Sequence, residues 1–116
     1  MGYIAHDAVI VTTSDCRPGG LPDIESFRAR LPESLRHLVI GPIAAPLNGH
    51  VNYAFLPDGS KKGWLAADEA SEFRRQFAAL FSEQYEDGST HDDTVSIRFG
   101  GDHRHEFDHP AARYTH

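Results

Sequence analysis

The chain has little that would tie it to a membrane, an oxidising compartment or a nucleic acid. Its single cysteine, Cys16, cannot close an internal disulfide, so a reducing cytoplasm is the expected compartment. No apolar run approaches the roughly 20 residues that a membrane-spanning helix needs. The opening stretch, MGYIAHDAVIVTTSD, has no basic leader segment and is interrupted by His6 and Asp7, so no cleavable signal is expected. His6 also stands where a myristoylation pattern wants Ser or Thr. Basic charge is scarce: 11 Lys and Arg against 17 Asp and Glu leave a formal net charge of -6. Neutralising phosphates needs a concentrated basic surface, and the only adjacent basic pairs are Lys61-Lys62 and Arg74-Arg75, which argues against a nucleic-acid partner. The acidic excess is itself too thinly spread to imitate DNA.

What is present suits one globular domain. With 116 residues, 40% hydrophobic and 24% charged, the chain has the length and composition of a single core. Residues 1–101 carry the hydrophobic patterning and residues 102–116 read as a tail or an extension of the last strand. The segment Tyr3 to Thr13 is rich in β-branched residues, and Ala8 to Val11 is apolar on both faces, as in a central strand. Ile24, Phe27 and Leu31 fall at helical spacing, with Pro22 suited to a first helical position, Asp23 and Glu25 in the first turn, and a stop near Pro32. One helical turn in PESLR then gives way to an extended arm from Leu38. Asn48-Gly49 favours a tight hairpin into a strand where Val51, Tyr53 and Phe55 alternate with polar or small residues. Pro42 and Pro46 cannot donate to a ladder and send the first arm to a sheet edge or a bulge.

Asp68 is a plausible N-cap for the strongest helix, whose stripe runs through Ala70, Phe73, Phe77, Leu80, Phe81 and Tyr85 toward Gly88. Val95, Ile97 and Phe99 then alternate with Thr94, Ser96 and Arg98, a strand with one wet face. The order strand, helix, strand, strand, helix, strand predicts an α+β, ferredoxin-like split βαβ fold (βαββαβ): a four-stranded antiparallel sheet with two helices on one face. The first and third strands would be central and the second and fourth would form the edges.

The segments VIVTTSDCRPGGLPDIESFR, LVIGP, FLPDGSKKGW and SIRFGGD together resemble small proteins of unassigned activity from actinobacteria and actinobacteriophages, the mycobacteriophage type included. The resemblance covers about Ile10 to Asp102. It carries no catalytic residues with it, and it implies a small accessory protein acting by contact with a host component, in the host cytoplasm if phage-encoded.

Three stretches invite a chemical reading. In GGDHRHEFDHP, a strand would point His103 and His105 to one side, and Asp102, Glu106, Asp108 or His109 could complete a divalent-metal set, or His6 and His50 could approach from other strands. No other cofactor is implied, and the competing reading is a solvated tail or a pH-sensitive surface. In TTSDCRPGGLPD, Cys16 lies between a strand and a helix beside Arg17, a position suited to a low-pKa thiol, but the loop lacks the residues of a phosphatase or nucleotide loop and Cys16 reads as a small, half-buried side chain. In LPDGSKKGWLAAD, Trp64 beside Lys61 and Lys62 has the composition of a contact anchor as much as of a core plug.

With no coherent acid, base or nucleophile set, no catalytic residue is assigned. The leading expectation is a non-enzymatic interaction protein that binds a host or self protein, with a homodimer through a sheet face or edge. The alternative is a small metal-dependent or ferredoxin-like dimeric enzyme built on the histidine cluster, or on His6 and His50 as acid and base.

Overall fold

A computed structural model of the chain describes residues 6–17, 19–61, 63–81, 92–100 and 106–108. The elements are β1 (His6–Ser14), α1 (Ile24–Arg30), α2 (Glu33–Arg36), β2 (Val39–Ala44), β3 (His50–Phe55), α3 (Leu65–Ala79), β4 (Asp93–Phe99) and β5 (Glu106–Asp108). They form an α+β fold on an antiparallel sheet in the order β2-β3-β1-β4-β5. Strands β1 and β3 are interior and β2 is an edge. The expected sheet of four strands is extended by β5, which pairs Glu106, Phe107 and Asp108 with Arg98, Ile97 and Ser96, so β4 is not the edge strand anticipated for it. Among the described residues no helix is long and apolar enough to cross a membrane.

Local chemistry accounts for the element ends. Asp23 is the N-cap of α1 rather than part of its first turn: its carboxylate accepts from the Ser26 amide at 3.1 Å and from the Ser26 hydroxyl at 2.7 Å. The β2–β3 hairpin closes through the His50 amide donating to the Leu47 carbonyl, with Asn48 at φ 61° and Gly49 at φ 67° between them. That double left-handed turn suits the right-handed twist of the two strands, and Asn-Gly tolerates it best. Strand β2 carries its proline as anticipated, at the edge and with a register shift between Ile40 and Ile43.

Helix α3 begins at Leu65, earlier than an Asp68 cap would allow. The Trp64 carbonyl accepts from the Ala67 and Asp68 amides, because Leu65, Ala66 and Ala67 are good helix formers and extend the helix backward, placing Asp68 in its first turn. Tyr85 and Gly88 lie outside the described residues.

The core joins alternate residues of the central strands to the helices. Val9 and Val11 of β1 pair with Phe55 and Tyr53 of β3, and all four are buried. Phe27 of α1 and Phe77 of α3 both meet the Phe55 ring, at centroid separations of 6.4 and 5.8 Å, while Phe81 lies 4.8 Å from Tyr53. Such edge and tilted contacts add to the roughly 1.5–3 kcal/mol that burying one large apolar side chain contributes.

Candidate interaction surface

Side chains along a strand alternate between faces, so the register of β1 with its two neighbours determines which residues share a side of the sheet. Val9, Val11 and Thr13 belong to the core face, opposite Phe55, Tyr53 and Val51. On the same ladder logic, Asp7, Val9 and Val11 stand beside Arg98, Ser96 and Thr94. Strand β4 therefore gives its polar residues to the core side and its apolar residues to the other: Val95 pairs with Ile10, Ile97 with Ala8, and Phe99 with His6. The alternation expected for β4 exists, but its polar side is the one turned to the core face.

This second face is apolar across four strands. Ile10 is 42% exposed and Ile43 of β2 is 52% exposed, with Ile40, Val95, Ile97 and Phe99 half-buried around them. Its ends are polar or aromatic: Thr12 donates to the Asn52 side chain at 2.7 Å at one end, and the His6 and Phe99 rings lie 5.3 Å apart at the other. A wet sheet face normally alternates to polar residues, so a continuous apolar centre marks this side as a candidate for association.

On the core side, beyond the aromatic cluster, Asp7 accepts from Arg98 Nε at 2.9 Å. Arg74 of α3 is buried, with its guanidinium 4.0 Å from Asp7, 3.7 Å from Asp58 and 5.9 Å from the Phe55 ring centroid. Its Nη1 makes no hydrogen bond among the described residues. The two carboxylates and two guanidiniums balance in charge and tie the start of β1, the end of β4 and the loop after β3 to α3.

The loop between β3 and α3 forms an open groove of about 260 Å³, lined among others by Leu35, Asp58, Ser60, Trp64, Ala66 and Glu69. Trp64 is 53% exposed and Leu65 86% exposed, so the tryptophan is not a core plug. The Lys61 ammonium lies 5.8 Å from the Trp64 ring centroid. Lys62 lies outside the described residues.

The other sequence candidates are distributed as follows. His6 opens β1 opposite Phe99, and His50 opens β3 opposite Ser14, so the two histidines occupy opposite ends of β1, about 25 Å apart at strand rise, and cannot act on one ion or one substrate. His103, His105 and His109 lie outside the described residues, and of Asp108 the structure describes only its pairing with Ser96. Among the described residues no three His, Cys, Asp or Glu side chains converge as metal ligands. Cys16 is exposed rather than half-buried, with its sulfur 3.0 Å from the Ser14 hydroxyl. Its neighbour Arg17 turns to Asp92, donating from Nε at 3.0 Å and Nη2 at 2.7 Å, and to the Gly20 carbonyl from Nη1 at 2.7 Å. The guanidinium thus braces the loop.

The sequence points to a sheet face open to association, but not to the residues of β4 that fill it; AVIV, apolar on both sides, is the local signal that β1 has a second apolar side. No family model matches the chain, nor does any curated protein or solved structure.

Proposed function

We propose that this protein works by association rather than catalysis, and that a second copy of the chain docks on the open face of its sheet. We read the fold as the ferredoxin-like split βαβ arrangement with β5 added beside β4 and both helices on the core side, which leaves the opposite face for a partner. The observation that carries the proposal is the inverted patterning of β4, which places Val95, Ile97 and Phe99 beside Ile10 instead of under α3.

Self-association fits this face because its centre holds no charge. An isologous interface sets one patch against itself about a two-fold axis, so any charge near the axis meets its own copy, and an uncharged apolar patch avoids that repulsion. Four strands at about 4.8 Å spacing and six residues at about 3.3 Å rise make a face of roughly 20 by 20 Å in projection, in the range of functional patches on small proteins. In an accessory role of this kind the dimer presents two copies of each remaining surface to a host or self partner.

The test is the solution mass of the full chain by sedimentation across a concentration series. A dimer that dissociates on dilution is expected, and Ile10→Glu should convert it to monomer while leaving the circular-dichroism melt almost unchanged, since Ile10 is exposed in the single chain. A wild-type chain that stays monomeric at about 500 µM would overturn the proposal.

A further inference from the structure

We infer that the groove beside Trp64 is a binding site for an arginine side chain presented by a basic segment of a partner protein. The chain itself supplies the first argument: the Lys61 ammonium rests over the Trp64 ring, 5.8 Å from the centroid. An exposed indole face attracts cations through its quadrupole, and this one already holds a cation of its own. The second argument is the wall of the groove. Glu69 on α3 is exposed and has no ion pair among the described residues, and Asp58 faces the same space with Arg74 behind it at 3.7 Å.

A guanidinium suits this arrangement better than an ammonium does. Its flat face stacks on the indole while its edge offers paired donors to the Glu69 carboxylate. Lys61 hangs on a flexible four-carbon stem and can swing into solvent, so it occupies the ring only until a better-matched cation arrives. Leu65, almost fully exposed next to Trp64, offers apolar contact for the residue flanking the incoming arginine. The net charge of -6 favours the approach of a basic segment from a distance, an effect that salt weakens. This surface is separate from the open sheet face, so the site holds whether or not the chain dimerises.

Trp64 is the only tryptophan, so its fluorescence reports the site directly. Titrating the full chain with a hexa-arginine peptide should give a saturable change, weakened roughly threefold to tenfold by Glu69→Gln and strengthened about twofold to fivefold by Lys61→Ala, which vacates the ring. Hexa-lysine should bind more weakly, and hexa-glutamate should leave the emission unchanged. Both variants lie at exposed or half-exposed positions and should fold normally. The Ile10→Glu chain should bind hexa-arginine as the wild type does. No saturable change at about 5 mM peptide, an affinity indifferent to both Glu69→Gln and Lys61→Ala, or hexa-lysine binding as tightly as hexa-arginine would overturn the assignment.

Discussion

Arg17 and Asp92, 75 positions apart in the chain, are joined by two parallel hydrogen bonds with both side chains almost entirely buried. The Thr13 hydroxyl donates to the same carboxylate, so the end of β1, the loop after it and the approach to β4 meet at one polar knot. Removing one member of a buried pair leaves the other charge without compensation, a cost of about 3–5 kcal/mol, whereas replacing both by apolar residues of similar size is far milder. Asp92→Leu and Arg17→Met should each lower stability by that order, and the two together should recover most of the loss. Urea melts of the four proteins check this, and strictly additive losses would show that the two side chains act independently.

Tyr53 is a core residue whose hydroxyl is buried with no hydrogen-bond partner among the described residues. Burial pushes its phenol above the ordinary 10.0, with Arg17 pulling the other way and Asp92 adding to the rise. Removing an unsatisfied hydroxyl while keeping the ring removes a desolvation penalty, so Tyr53→Phe should be neutral or stabilising by up to about 1 kcal/mol. The folded phenol holds its proton more tightly than the unfolded one. Its share of stability is therefore complete below about pH 10 and falls as the pH rises past that value toward the folded pKa. Denaturant melts at neutral and alkaline pH should show Tyr53→Phe losing less than the wild type.

Gly41 has φ 121° and lies so close to β3 that an added Cβ would stand 2.7 Å from the Asn52 carbonyl oxygen and 2.7 Å from Tyr53 Cδ2. Both the backbone angle and the contact exclude a side chain. Gly41→Ala should cost about 2 kcal/mol or more, expressed as a lower denaturation midpoint at unchanged slope. Gly59→Ala makes the comparison informative, because that position has open space and only its positive φ to resist substitution.

The cap of α1 predicts an acid limb in the stability curve. Hydrogen bonds from the Ser26 side chain first, and its amide second, hold the Asp23 carboxyl below the 3.8 of a free aspartate. A carboxyl lowered on folding contributes stability that is complete above its unfolded pKa and lost as pH falls through the folded one. Asp23→Ala should therefore melt a few degrees below the wild type at about pH 7, with the gap closing below about pH 4. A gap of constant size down to about pH 2 would show that the charge of Asp23 contributes nothing.

Much of the architecture is legible one segment at a time. The alternation of Val51, Tyr53 and Phe55, the three-and-four spacing of Ile24, Phe27 and Leu31, and the Asn48-Gly49 turn are local patterns with a direct geometric meaning, and each stands in the folded chain where its period places it. Even Pro42 in β2 announced an edge. The candidate site was legible only in outline: the sequence left Trp64 as an anchor or a plug, and its exposure removes the plug.

By itself the sequence determined the elements from β1 to β4 as strands and helices, because hydrophobic period, capping and turn chemistry act within a few residues, while β5 was not told apart from a tail. Tertiary structure alone decided which way β4 faces. Alternation gives that strand an apolar side and a polar side but not their direction, and a register slip of one residue against β1 would exchange them. The same long-range pairing brought Arg17 to Asp92, separated His6 from His50 and left Val95, Ile97 and Phe99 beside Ile10 on the far side of the sheet.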